Sequence, residues 1–380
     1  MTHMYKTPST IIIGVLLLIS VSTALHADNK QPLRILTWEG YVTPEDLKAV
    51  NSRLEEKGSL YEVVVIKPYA EGAEQMFDLI RGNQTDITFL TLFFIKMMNE
   101  QTSKLLQPID TNSPRLSNYQ HLIPSLTHLK MGMSSPSEYN KKSMPLYIPW
   151  GGGAYGFYID RNRVKAADVP KSVKELWLPK WKNKYSLNQS QEFYNIGLAF
   201  MGMGKSPFLF HELVLAGKRN EIVETMSSTG ELQQKLNKLY INAGHFWKAS
   251  PKFKKDLLIV SSWGPEITRE NQAGADWRMI EFDEGHMVWL DTINFVKGLK
   301  GKKLEAAEIF ANYFIGKKVQ SRIVRELTMV AASTEVGNKS GLGSATAIFK
   351  DNMFVPPYDN ISYSIMKRMT DAATIESTKD

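Results

Sequence analysis

The sequence has no cysteine among its 380 residues. Disulfide bridges, thiolate metal sites, cysteine nucleophiles and a lipid-modified N-terminal cysteine are therefore excluded. The histidines are few and scattered, with no pair at metal-ligand spacing and no HExxH motif. We predict that the protein holds no metal and no other cofactor.

Recognisable catalytic motifs are missing as well. No serine lies in a GxSxG motif. The glycine run Gly151 to Gly153 lacks the lysine and the Ser/Thr of a P-loop and the spacing of a dinucleotide fingerprint. We interpret it as a flexible crossover between two lobes rather than a phosphate cradle. A binding protein is favoured over an enzyme, which stays open as an alternative because catalytic triads are recognised by geometry.

Only one long apolar run is present, IIIGVLLLIS, near the N-terminus. Lys6 precedes it without any acidic residue, and the small residues of VSTALHA follow it. Because the run is too short to span a bilayer comfortably, residues 1–27 are predicted to be a signal peptide that is cleaved near Ala27. An uncleaved anchor is the alternative. The protein is expected to be periplasmic.

The formal net charge is +7 at pH 7, but no long basic block carries it. The lysine-rich stretches KNK, KFKK and KGLKGKK are short and lie in predicted loops or at helix ends. Dispersed lysines of this kind indicate solvated faces rather than a phosphate-binding surface. We therefore expect no nucleic-acid partner.

The first part of the chain alternates strand and helix patterns: RILTW, PEDLKAVNSRLEEKG, YEVVVIKPY, AEQMFDLIRGN and DITFL. Leu47, Val50 and Leu54 recur on one helical face, Pro44 suits the first turn, and Gly58 suits the stop. The order βαβαβ predicts a parallel sheet with helices on both faces. Ligands of such sheets bind beyond the carboxyl ends of the strands.

The chain is long for one core and predicts two lobes. The sequence pattern changes from Leu146, where a strand-rich, glycine-containing segment begins. After the signal peptide, the predicted boundaries are residues 28–149 and 292–335 for the first lobe, and 150–291 and 336–380 for the second.

Large aromatic side chains fall at or just past the predicted strand ends, at Trp38, Tyr41, Phe93, Trp263 and Trp289. Asp291 follows Trp289 by two residues, so both side chains lie on the same side of an extended strand. An indole and a carboxylate on one side suit an ammonium group. The alternative for Asp291 is an N-cap of a following helix.

Several longer motifs occur in a consistent order: LTWEGYVTPE, DITFLT, PWGGGAYGFYIDRNRV, SVKELWLPKWKNKYSL, SSWGPEITRENQAG and EGHMVWLDTINFV. In these motifs and their spacing the chain resembles the periplasmic spermidine/putrescine-binding proteins of bacterial polyamine ABC transporters. The resemblance implies an α/β fold of the periplasmic-binding-protein type II, with two lobes and a ligand cleft between them. It also implies a monomer.

The resemblance assigns ligand-binding roles residue by residue. The residues so assigned are Trp38 and Tyr41 in the loop after the first strand, Trp263 in the central cleft, and Trp289 and Asp291 as the Trp-x-Asp pair. A serine and a tyrosine after the third strand are replaced by Thr91 and Phe93, which keep a hydroxyl and a ring but lose a phenol donor.

The sequence departs from the family pattern at most of its acidic positions. An aspartate and a glutamate at a helix start align with Gln191 and Tyr194. If the alignment is shifted by two residues, Glu192 takes the position of the glutamate and Gln189 takes that of the aspartate. The acid of the first loop is displaced to Glu39, and a late tyrosine is replaced by Val330. Asp291 is therefore the cleft carboxylate on which amine binding is expected to depend.

Three functions remain open from the sequence. The protein is expected to capture a polyamine or a related amine and deliver it to an inner-membrane ABC permease. The second function is a periplasmic sensor that regulates a membrane signalling protein through the same cleft. The third is a binder of another small solute, because the missing acids and the positive charge permit an anionic or neutral ligand.

Overall fold

The computed structural model describes residues 30–99, 102–135, 142–248, 250–337 and 348–379. The predicted signal peptide and its cleavage position lie outside these ranges. No helix in the described ranges has the length and hydrophobicity needed to cross a membrane.

The described chain alternates short strands and helices. The strands are β1 Gln31–Leu36, β2 Tyr61–Val65, β3 Ile87–Thr91, β4 Ile148–Ala154, β5 Gly156–Asp160, β6 Ser186–Asn188, β7 His245–Trp247, β8 Ile259–Ser262, β9 Trp277–Met279, β10 Val288–Phe295 and β11 Val330–Ala331. The α-helices are α1 Pro44–Glu56, α2 Ala73–Arg81, α3 Thr102–Leu105, α4 Glu192–Gly202, α5 Leu209–Leu215, α6 Arg219–Thr225, α7 Glu231–Ile241, α8 Pro265–Gln272, α9 Gly301–Phe314, α10 Lys317–Glu326 and α11 Asn360–Ser377. Short 3₁₀ helices cover Leu92–Asn99, Pro114–His121, Pro124–Leu126, Lys130–Gly132, Ala166–Asp168, Val173–Trp177, Pro179–Trp181 and Asp351–Met353.

The larger sheet has six strands in the order β11-β4-β10-β3-β1-β2. Strands β1, β2 and β3 are parallel, which confirms the βαβαβ arrangement predicted for the first part of the chain. Strands β10, β4 and β11 extend the sheet in antiparallel pairings. The central strands β3, β4 and β10 are buried along their whole length, so this sheet supplies a rigid base for any side chain that they carry.

Helix α1 begins and ends at the residues that the sequence pattern predicted. The Thr43 hydroxyl accepts a hydrogen bond from the Asp46 backbone N–H at 3.1 Å, and the Asp46 carboxylate completes the capping box. Val50 and Leu54 are buried on the inner face. Gly58, just past the C-cap, has φ +66°, a conformation that glycine adopts without strain. Helix α1 is therefore fixed at both of its ends.

Smaller sheets form the second part of the fold. A three-stranded antiparallel sheet has the order β8-β5-β9, and β6 and β7 form a parallel pair. The chain passes from the six-stranded sheet to the three-stranded sheet at Tyr155, between β4 and β5. The lobe boundaries given above stay a prediction; β4 and β10 each lie entirely within the six-stranded sheet.

The glycine run at residues 151–153 differs from the expected flexible crossover. It lies inside β4, where every residue is buried between β10 and β11. A Cβ atom at Gly152 would lie 2.3 Å from the carbonyl oxygen of Trp289, and one at Gly151 would lie 2.5 Å from Ile323. The glycines are thus explained by close packing of β4 against its neighbours.

Replacing Gly152 by alanine is expected to lower the free energy of unfolding by about 1–3 kcal/mol, because the added methyl group meets backbone rather than a flexible side chain. Urea unfolding measures the difference. Gly337→Ala is the matched control, since a Cβ atom there meets no atom within 4 Å. Equal stability of the two variants would contradict this account of β4.

Candidate functional site

The centre of the site is the Asp291 carboxylate on β10, which is 3% exposed. Thr91 lies directly opposite it on β3 and donates its hydroxyl to Oδ1 at 2.7 Å. The Tyr41 hydroxyl donates to Oδ2 from the loop after β1. Three segments that are distant in the sequence therefore meet at one carboxylate.

The electrostatic setting of Asp291 is unusual for an aspartate. Burial raises the pKa of this carboxyl to about 6, although the hydrogen bonds from Tyr41 and Thr91 act in the opposite direction. No lysine, arginine or histidine in the described ranges forms an ion pair with it. A buried carboxylate without a counter-ion is a favourable place for a cation to bind.

Trp289 precedes Asp291 on the same strand and is 7% exposed. Its backbone pairs with Gly153 on β4. The indole Nε1 is buried and has no hydrogen-bond acceptor among the described residues. This end of β10 therefore carries a buried indole donor without an acceptor, two residues before a buried carboxylate that has hydroxyl donors but no counter-ion among the described residues.

The loop after β1 places Trp38 and Tyr41 against the sheet. The Trp38 indole donates to the carbonyl oxygen of Phe89 at 3.0 Å, and the ring lies 6.5 Å from that of Phe94. The Tyr41 ring packs 4.3 Å from the Trp150 ring, centroid to centroid. Tyr41 is buried whereas Trp38 is partly exposed, so only Trp38 presents much of its surface to solvent.

A second aromatic group comes from α4 and the strands around it. The rings of Tyr155, Tyr194 and Trp263 lie 4.8 to 4.9 Å from one another, and Trp263 is partly exposed. The pKa of the Tyr194 hydroxyl is raised well above its ordinary value by burial and then by the negative charge of Asp291. The Tyr194 hydroxyl therefore lies within range of the electrostatic effect of Asp291.

Phe93 connects the two aromatic groups. Its ring lies 5.4 Å from that of Phe193, the residue before Tyr194, and 4.8 Å from that of Phe94. Both Phe93 and Phe193 are buried. Together the rings form a continuous aromatic seam between the six-stranded sheet and α4.

The other predicted residues make none of the contacts with Asp291 described above. Glu39 is exposed, and Val330 is buried in β11. Gln191 is the N-cap of α4, and Glu192 is its first residue. Burial raises the pKa of the Glu192 carboxyl, whose Oε2 has no hydrogen-bond donor in the described part of the chain.

A cavity of about 230 Å³ opens beside Gln191. One wall comes from the first turn of α2 and the segment after β3, and the other from the start of α4 and from α11. Its lining residues are 71–75, Phe94, Met97, Ser190, Gln191, Phe193 and Tyr363. Two of them, Glu71 and Glu74, are exposed carboxylates.

Several of these residues were not predicted from the sequence. Tyr155 and Phe193 extend the aromatic seam, and Glu71 and Glu74 supply negative charge at the cavity. A signal for the aromatics was available, since Tyr155 follows the glycine run and Phe193 lies between two predicted site residues. The two glutamates carry no such signal because exposed acids are common at helix starts.

Within the described ranges, no group of three or more histidine, aspartate or glutamate side chains is placed to hold a metal ion. The site itself offers a carboxylate, hydroxyls, an indole N–H and aromatic faces. These groups bind ammonium ions well.

The family model described as bacterial extracellular solute-binding protein matches residues 74–350, more than half of the chain. The chain belongs to this family. No curated protein matches the sequence.

Similar solved structures share the fold at low sequence identity. The spermidine/putrescine ABC transporter substrate-binding protein PotD of Streptococcus pneumoniae is 16% identical, with a TM-score of 0.66 over 91% of this chain and 99% of that one. The lipoprotein TpPotD of Treponema pallidum is 15% identical, with a TM-score of 0.62 over 91% and 100%. The periplasmic binding protein AfuA of Actinobacillus pleuropneumoniae, with fructose 6-phosphate bound, is 14% identical, with a TM-score of 0.58 over 91% and 98%.

These findings confirm the predicted α/β fold of the periplasmic-binding-protein type, and with it the structural resemblance to polyamine-binding proteins. The solved neighbours differ in their solutes: one is a spermidine/putrescine-binding protein, and another holds fructose 6-phosphate. The family match identifies a solute-binding protein, and the choice of solute depends on the residues of the site.

Proposed function

We propose that this protein captures an amine of the polyamine class in the periplasm and presents it to an inner-membrane ABC permease. It binds its ligand without converting it. The ligand lies between the six-stranded sheet and α4, with one ammonium group near Asp291 and its carbon chain along the aromatic seam.

The observation that carries this proposal is the buried Asp291 carboxylate, which has hydroxyl donors but no cationic partner among the described residues. An anionic ligand would place a second negative charge beside it and would be strongly disfavoured in a buried site. An ammonium ion supplies the missing charge. The rings of Trp263 and Tyr194, whose centroids lie 4.9 Å apart, provide aromatic surface for a cation–π contribution.

Additional negative charge favours an amine with more than one cationic centre. Glu71 and Glu74 lie at the cavity beside Gln191, and Glu74 is close enough to raise the pKa of Glu192. Lys367 also lies near Glu192 and offsets part of that charge. A short diamine suits this distribution better than a ligand with several closely spaced charges, because among the carboxylates in the described part of the chain only Asp291 is buried without a cationic partner.

A ligand screen tests the proposal directly. Purified protein without the signal segment is examined by thermal shift and calorimetry against putrescine, cadaverine, spermidine, 4-aminobutyrate, amino acids and fructose 6-phosphate. We expect the diamines and spermidine to raise the melting temperature and the sugar phosphate to leave it unchanged. Stabilisation by fructose 6-phosphate, with none by any amine, would overturn the proposal.

The membrane partner needs a separate experiment in cells. Deletion of the gene is expected to reduce uptake of radiolabelled putrescine, and expression of the wild-type protein is expected to restore it. Unchanged uptake in the deletion strain, together with amine binding by the purified protein, would favour the sensor role.

A further inference from the structure

Arg322 on α10 is a buried arginine that contacts the loop carrying Trp38 and Tyr41. It is 9% exposed. Its guanidinium donates to the carbonyl oxygen of Tyr41 at 2.6 Å and to that of Gly40 at 3.3 Å. The same group forms an ion pair with Asp46 at 2.8 Å. One side chain thus joins α10, the first turn of α1 and the loop between β1 and α1.

The position of this guanidinium is itself fixed. Asp46 is part of the capping box of α1, and its other carboxylate oxygen accepts the Tyr313 hydroxyl at 3.1 Å. A planar guanidinium can bind a carboxylate and two carbonyl oxygens at once, because its donors point outward in a rigid fork. A lysine ammonium has three donors on a flexible stem and does not reproduce this geometry.

The contact matters because Tyr41 is held both by its backbone and by its side chain. Its carbonyl oxygen is held by Arg322, whereas its hydroxyl donates to Asp291. Between them the ring is wedged against Trp150, so movement of the backbone would move the hydroxyl. Gly40, whose φ is +82°, makes the turn that brings the two carbonyl groups toward the same guanidinium.

We propose that Arg322 is a positioning residue for the ligand site, which holds the Tyr41 backbone so that the Tyr41 hydroxyl stays on the Asp291 carboxylate. The assignment deepens the proposed amine site and rests on it for its effect on affinity. Arg322 acts through Tyr41, so its contribution to binding depends on the Tyr41 hydroxyl.

A double-mutant cycle tests this dependence. Arg322→Lys and Tyr41→Phe are each expected to weaken putrescine binding by about tenfold, the effect of losing one hydrogen bond to a charged group. If Arg322 acts through the hydroxyl, Arg322→Lys in the Tyr41→Phe background changes affinity by less than about twofold. Effects that multiply to about one hundredfold would overturn the assignment.

A measurement without ligand keeps this test independent of the ligand's identity. Infrared difference titration of the ligand-free protein follows protonation of the Asp291 carboxyl, identified by its absence in Asp291→Asn. Loss of the Tyr41 donor is expected to raise the Asp291 pKa, so Arg322→Lys and Tyr41→Phe shift the titration upward in the same direction. Tyr41 and Tyr194, the titratable groups near Asp291, stay protonated in this range because burial raises the pKa of each.

The control is Arg325→Lys on the same helix, since the Arg325 side chain is 66% exposed and pairs with Glu326. Arg325→Lys should leave both the titration and the affinity at the wild-type values. An unchanged Asp291 titration in Arg322→Lys, with native circular dichroism, would overturn the positioning role. Because Arg322→Lys keeps a cation beside Asp46, we expect this variant to fold. Arg322→Gln, which keeps an amide donor for the carbonyl groups, is a second variant for the same titration.

Discussion

Asp291→Asn is expected to abolish detectable amine binding while the ligand-free protein stays folded. The substitution keeps the size of the side chain and an oxygen that accepts from Tyr41 or Thr91, but it removes the negative charge. Removing one partner of a buried charge pair costs about 3–5 kcal/mol, which weakens binding by about two to four orders of magnitude. Isothermal titration calorimetry with putrescine at pH 7.5 measures the loss.

Two comparisons make this result specific. Glu62→Gln removes an exposed carboxylate from β2 of the same sheet and should leave the affinity unchanged. Circular dichroism of Asp291→Asn should match the wild-type spectrum, since β10 keeps its backbone pairing with β3 and β4. Wild-type affinity in Asp291→Asn would remove this residue from the site and move attention to the acids beside Gln191.

The parts of the fold that the sequence predicted correctly depend on local patterns. The residues of α1 could be predicted because an apolar face, a first-turn proline and a following glycine act within one helix. The alternation of strands and helices predicted the parallel pairing of β1, β2 and β3 for the same reason. The sequence also named Tyr41, Thr91 and Asp291 as site residues, Thr91 through the family resemblance; the structure brings their side chains together, and their role in binding stays a prediction.

The features that the sequence did not reveal depend on contacts between distant segments. The glycines of β4 look flexible in sequence, but their packing against Trp289 and Ile323 becomes visible only when the strands are paired. Arg322 is separated from Tyr41 by 281 residues, and no spacing rule connects them. Gln191 is the N-cap of α4 and Glu192 is its first residue, and the alignment of this segment with the acidic pair of the family stays a prediction.

Asp291 is also expected to make the stability of the ligand-free protein depend on pH. Its pKa is about 6 in the folded protein against an ordinary value of 3.8. Because the folded pKa is the higher one, the group contributes stability that is fully present below pH 3.8 and is lost as pH rises through 6. Relative to Asp291→Asn, the wild-type free energy of unfolding should fall by about 2–3 kcal/mol between pH 4 and pH 7.5.

Guanidinium unfolding of the two proteins at pH 4 and pH 7.5 gives this difference, and other titrating groups cancel in the comparison. A difference that does not change with pH would mean that Asp291 is ionised without cost in the folded protein, which would contradict its burial. At pH 7.5 the destabilising charge is the same charge that binds the amine, so a ligand at free concentration L restores stability by RT ln(1 + L/Kd), which grows with the logarithm of its affinity. An amine that binds near pH 6 should also release protons from Asp291, and calorimetry in buffers of different ionisation enthalpy detects that release.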